Sequence, residues 1–107
     1  MKCSGVVTEL EIEMDEADFA VTEAVVTKNR ISIDWDEYGK VFNVVMNSTD
    51  GGATYEGIYG DPRPNANWSM TATRYDSANG SILLLAEWVQ EDGGKSGVCM
   101  FELDPVV

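Results

Sequence analysis

The chain has 107 residues, with 7 Lys and Arg against 19 Asp and Glu, no His, and a formal net charge of -12. That length suits one domain, residues 1–107, and is short for two. The charge argues against nucleic acid or an anionic membrane surface as partner, because both call for a basic patch. A hydrophobic share of 44% allows a core without disulfide staples. The N-terminus lacks the apolar run of a secretory signal, and no stretch approaches the roughly 18 apolar residues of a membrane helix. With only Cys3 and Cys99, the expectation is a cytoplasmic protein with reduced thiols. Whether the two cysteines pair stays open.

In residues 6–14, Leu10, Ile12 and Met14 alternate with Glu9, Glu11 and Glu13. A period of two predicts a half-buried strand with one acidic face. Residues 15–18 break the pattern. Residues 19–27 read two ways. Their β-branched content favours a strand with Phe19, Val21 and Val25 on one face and Glu23 intruding. Ala17, Ala20, Val21, Ala24 and Val25 also form a helical stripe, with Asp15 as a possible N-cap.

After the turn Lys28-Asn29-Arg30, Ile31, Ile33 and Trp35 alternate with Ser32, Asp34 and Asp36. A second turn at residues 37–40 leads to a strand over 41–48, with Phe42, Val44 and Met46 on one face. Asp50-Gly51-Gly52 signals a hairpin. Tyr55, Gly57 and Tyr59 then share a side, and Gly57 suggests a bend or a close backbone approach. Two prolines exclude residues 61–67 from a ladder. Three clear runs follow, at 68–75, 81–91 and 98–103, joined by turns at 76–80 and 92–96. Trp68, Met70 and Ala72 share a row closed by Arg74; Ile82, Leu84, Ala86 and Trp88 share another; Cys99, Phe101 and Leu103 a third.

The fold class is therefore all-β, an antiparallel eight-stranded meander, most simply an up-and-down barrel. A β-sandwich, or a half-barrel with a helix at 16–28, is the alternative. In strand count, order and spacing the plan resembles the calycin architecture of lipocalins, fatty-acid-binding proteins and avidins, which implies a closed barrel. The Gly-x-Trp of lipocalins is absent from the first strand, and Trp35, Trp68 and Trp88 only loosely resemble the Trp motifs of avidins. No functional residue carries over. The expected interior is Leu10, Ile12, Met14, Ile31, Ile33, Trp35, Phe42, Val44, Met46, Trp68, Met70, Leu84, Ala86, Trp88, Phe101 and Leu103.

Parity then yields a candidate interface. With Leu84, Ala86 and Trp88 inward, Leu83, Leu85 and Val89 point outward. With Cys99 and Phe101 inward, Val98 and Met100 point outward. Val7 extends this patch if the barrel closes. Soluble monomers seldom expose such a surface, so a homo-oligomer or a protein partner is expected there. The other reading is that a segment of the same chain, such as 19–27, covers it. A second candidate is a small apolar or aromatic ligand held in the barrel by Trp35, Tyr55, Tyr59, Trp68, Arg74 and Trp88. Arg74 and Glu23 are expected either to pair, to grip a ligand carboxylate or, for Arg74, to reach solvent. The acidic groups at 15–18 and 34–37 lack the EF-hand pattern and read as solvated charge. No nucleophile, base, cofactor or metal motif stands out, and a non-catalytic module is the expectation.

Overall fold

The computed structural model describes residues 2–10, 17–37, 39–60, 67–90 and 96–106; for residues 9, 10, 17, 18, 37, 40, 58–60 and 67 it describes the backbone alone. Eight strands follow one another: β1 (Lys2–Leu10), β2 (Ala17–Val26), β3 (Arg30–Glu37), β4 (Lys40–Asn47), β5 (Thr54–Gly60), β6 (Asn67–Asp76), β7 (Ile82–Gln90) and β8 (Ser96–Pro105). Each pairs antiparallel with the next, and β1 pairs with β8, closing the barrel. Closure leaves no free sheet edge. The sandwich and half-barrel alternatives are thereby set aside. Residues 19–26 form part of strand β2 and not a covering helix. The described residues include no helix long and apolar enough to cross a membrane.

Ile31, Ile33, Trp35, Val44, Met46, Trp68, Met70, Leu84, Ala86, Phe101 and Leu103 are buried as expected, and Phe42 and Trp88 pack against them half-buried. Burying each large side chain contributes roughly 1.5–3 kcal/mol. The side chain of Leu10 and the whole of Ile12 and Met14 lie outside the described residues, as do Glu11, Glu13 and the side chain of Glu9.

Two features overturn local expectations. β1 begins earlier than the alternation at 10–14 implied, and it pairs with β8 without a register shift from Cys3 to Leu10. Val7 is paired with Phe101 and is 1% exposed. It therefore belongs to the core, and its neighbour Val6 takes the outward position expected for it. β2 carries one extra residue between Val21 and Ala24, where its pairing shifts against both β1 and β3. A bulge inserts one residue and inverts the alternation beyond it. Val21, Ala24 and Val26 are buried in consequence, while Val25 is exposed. Glu23 is exposed too, and Arg74 pairs with Asp76 instead.

Closure brings neighbouring backbones close at two glycines. A Cβ on Gly5 would lie 1.8 Å from the Glu102 carbonyl oxygen, and one on Gly57 would lie 2.0 Å from that of Val45. Both glycines pair with inward-facing residues, Leu103 and Met46 respectively. At these two places the coiling sheet admits only hydrogen on the inner side of the strand.

Candidate functional site

The outer face of β6, β7, β8 and β1 is organised in rows, because residues directly opposite on antiparallel strands share a face. One row runs Tyr75, Leu83, Glu102, Val6. The next runs Thr73, Leu85, Met100, Thr8. The third places Thr71, Glu87 and Val98 side by side, and the fourth Ser69, Val89 and Ser96. Leu85 is 42% exposed and Val89 47%, while Leu83, Val98 and Met100 are half-buried. All five therefore lie on the outer face. They do not form one unbroken patch. Glu87 stands between Leu85 and Val89 and opposite Val98, and Glu102 stands opposite Leu83. The apolar centre is Leu83, Leu85, Met100 and Val98, bracketed by two exposed carboxylates. Tyr75 and Val6, both exposed, enlarge it. Their place needs the register of β6 and β1, which alternation within one strand does not supply.

The aromatic candidates divide between the two ends of the barrel. Trp35 lies near the 37–40 turn, stacked on Phe42 at 5.7 Å and edge-on to Phe101 at 5.6 Å. Trp68 meets Trp88 edge to face at 4.7 Å, and the Trp88 ring lies against Gly97, its cross-strand partner. The backbone of Tyr59 pairs with Val44 and Trp68 at the same end; its side chain lies outside the described residues. Tyr55 and Arg74 sit at the opposite end, beside the 48–53 and 77–81 turns. Trp35, Tyr55 and Trp68 are buried within the core cluster. The signal that separates the two groups is which turn each residue adjoins, since alternate turns of a meander fall at the same end.

At its end, Tyr55 is 1% exposed and its hydroxyl is fully engaged. It donates to the carbonyl of Thr27 at 3.0 Å or that of Lys28 at 3.3 Å, and accepts from Arg74 Nη1 at 3.0 Å. Arg74 Nε donates to Asp76 at 2.9 Å. Burial works against the Arg74 charge, but the bonds to Asp76 and Tyr55 outweigh it and hold the guanidinium above its ordinary value. Around this group, residues 26–28, Gly51, Gly52, Arg74 and Asp76 line a cleft of about 360 Å³.

The β4–β5 turn beside the cleft is organised by Asp50. Its carboxylate accepts from the Thr54 hydroxyl at 2.6 Å, the Thr54 and Ala53 amides, and the Ser48 hydroxyl. The Thr54 bonds above all hold the carboxyl well below the usual aspartate range. A depressed folded value means that Asp50 stabilises the fold above its unfolded value of about 3.9 and loses that contribution as pH falls towards the folded value. Asp50→Asn is accordingly expected to melt below wild type at pH 7, with the gap narrowing at pH 3. An equal gap at both pH values in thermal melts would show that the turn does not use the charge.

Burial pushes the Cys3 thiol up, against the pull of the N-terminal charge and Arg74. Cys3 and Cys99 are both buried and form no disulfide, a setting for packing and not for nucleophilic attack. In the acidic group at 34–37, Asp34 accepts from Asn43 and Asp36 from the Gly39 amide; the group at 15–18 lies outside the described side chains. Among the described residues, no group of three or more His, Cys, Asp or Glu is placed to hold a metal ion. No protein-family model matches the chain, and it matches no curated protein and no solved structure.

Proposed function

We propose that the chain is a non-catalytic binding module that docks a basic protein segment with apolar anchors on the outer face of β7 and β8. The observation that supports this reading is the bracketing of Leu83, Leu85, Val98 and Met100 by Glu87 and Glu102. An apolar centre within a charged rim is the usual anatomy of a protein interface. The sign of the rim selects the occupant. A second copy seated face to face would bring both copies' glutamates together, on chains that each carry a net charge of -12, and like charges at a contact are costly. A segment with lysines or arginines flanking leucine-like side chains satisfies both halves of the surface. A cytoplasmic setting fits two cysteines that form no disulfide.

The test uses a synthetic peptide of alternating leucine and lysine, titrated into isotopically labelled protein. Saturable shifts are expected in the amides of residues 83–87 and 98–102, weakening with salt. Leu85→Glu adds a negative charge, so diffuse attraction of a basic peptide to an acidic protein would strengthen. Loss of about tenfold or more in affinity is expected instead, from losing a central apolar anchor. Shifts scattered over the barrel, or unchanged affinity in the variant, would overturn the reading. Light scattering that shows a wild-type dimer dissociated by Leu85→Glu would assign the face to a second copy.

A further inference from the structure

The cleft between Lys28, Gly51-Gly52 and Arg74 has a chemistry that the outer face does not explain. The chain carries 19 acidic and only 7 basic residues, yet this cleft takes two of the basic ones and one acid, Asp76. Arg74 is held from two sides. A guanidinium carries five N–H donors; Arg74 spends one on Asp76 and one on Tyr55, and the remaining donors have no partner among the described residues. Tyr55 is in turn anchored to the backbone of the β2–β3 turn, so the guanidinium is oriented by a buried phenol.

Lys28 is placed by the opposite wall. A Cβ on Gly51 would meet Lys28 Cε at 3.5 Å, and one on Gly52 would meet Lys28 Cγ at 3.6 Å. The lysine stem therefore lies along the two glycines, which leave it room. The turns that carry these walls are tied together, since the Ser48 amide donates to the Asn29 carbonyl at 2.8 Å and the Arg74 amide to the Ala53 carbonyl at 3.0 Å. Asp50, on the same turn, spends its carboxylate on Ser48, Ala53 and Thr54.

We propose that this cleft binds a small monocarboxylate, with its carboxylate on the free donors of Arg74 and within reach of Lys28. Planar guanidinium and carboxylate match in geometry, and their hydrogen bonds are charge-assisted. The lining charges leave one net positive charge after Asp76 is counted, which suits a monoanion. A phosphate dianion would be left with an unbalanced charge beside Asp76. The cleft volume falls within the range of small-molecule sites, about 300–1,000 Å³. The site is separate from the outer face of β7 and β8 and does not depend on that reading.

The experiment titrates sodium propionate at pH 7 into labelled protein, with sodium chloride at matched ionic strength and inorganic phosphate as comparison arms. Propionate is expected to give saturable shifts at Lys28, Gly51, Gly52 and Arg74, and phosphate weaker ones at the same amides. Lys28→Gln, on an exposed turn, is expected to raise the propionate Kd about tenfold, the scale of one charge-assisted hydrogen bond. Arg74→Gln is expected to do at least as much, and Lys28→Gln keeps the test valid if Arg74→Gln unfolds. Leu85→Glu should leave propionate binding unchanged. Shifts no larger than those with chloride, tighter binding of phosphate than of propionate, or an unaltered Kd in Lys28→Gln would each overturn the proposal.

Discussion

Gly57→Ala is expected to destabilise the barrel by about 3 kcal/mol or more, since overpacking typically costs 1–3 kcal/mol and a clash with backbone leaves no side chain free to yield. The new methyl would lie 2.0 Å from the Val45 carbonyl oxygen and 2.9 Å from Met46 Cα. Relief requires β4 and β5 to part, which sacrifices ladder hydrogen bonds within their pairing. In urea the midpoint should fall by about 1–3 M, given slopes of about 1–3 kcal/mol/M for small proteins. Gly39→Ala is the control. Gly39 has a φ of +82° with nothing within 4 Å of an added Cβ, so its cost is limited to a left-handed backbone, about 1–2 kcal/mol. A Gly57→Ala loss no greater than that of Gly39→Ala would refute the close approach as the reason for glycine.

Phe101→Ala is expected to cost about 3–5 kcal/mol, the range for deleting a fully buried aromatic ring. Phe101 has no exposed surface. It pairs across β7 with Leu84 and across β1 with Val7, and its ring supports the edge of Trp35, which in turn stacks on Phe42. Removing it opens a cavity where both sheet neighbours are fixed by their ladders and collapse is limited. Loss of near-ultraviolet circular dichroism from Trp35 should accompany the drop in urea midpoint. Val41→Thr, at a position 61% exposed, should stay within about 0.5 kcal/mol of wild type. Similar losses in the two variants would mean that Phe101 is not part of a packed interior.

Alternation and turn chemistry predicted an all-β meander of eight strands before any tertiary information, with residues 19–27 open between strand and helix. Ile31-Ser32-Ile33-Asp34-Trp35 can present one apolar face only as a strand, and Asp50-Gly51-Gly52 supports a chain reversal because two of its residues adopt positive φ. The close approach at Gly57 was legible for the same local reason. So was the outward direction of Leu83, Leu85, Val89, Val98 and Met100, because β7 and β8 carry no register shift along their pairing.

What only the tertiary structure decided depends on pairing between strands. One extra residue in β2, where its pairing shifts against both β1 and β3, inverts the parity of that strand partway along, so Val25 and Glu23 turn outward against their own alternation, while Val7 faces inward because β1 pairs with β8 in unbroken register opposite Phe101. The rows of the outer face depend on register, which places Glu87 and Glu102 among the apolar residues and converts an expected uniform patch into a charged and apolar one. Lys28 and Arg74 are far apart in sequence and share a cleft because the β4–β5 turn lies between them at one end of a closed barrel. Local periodicity is a property of each strand alone. Register, bulges and closure are properties of the ladder between strands, and they set which side chains finally meet.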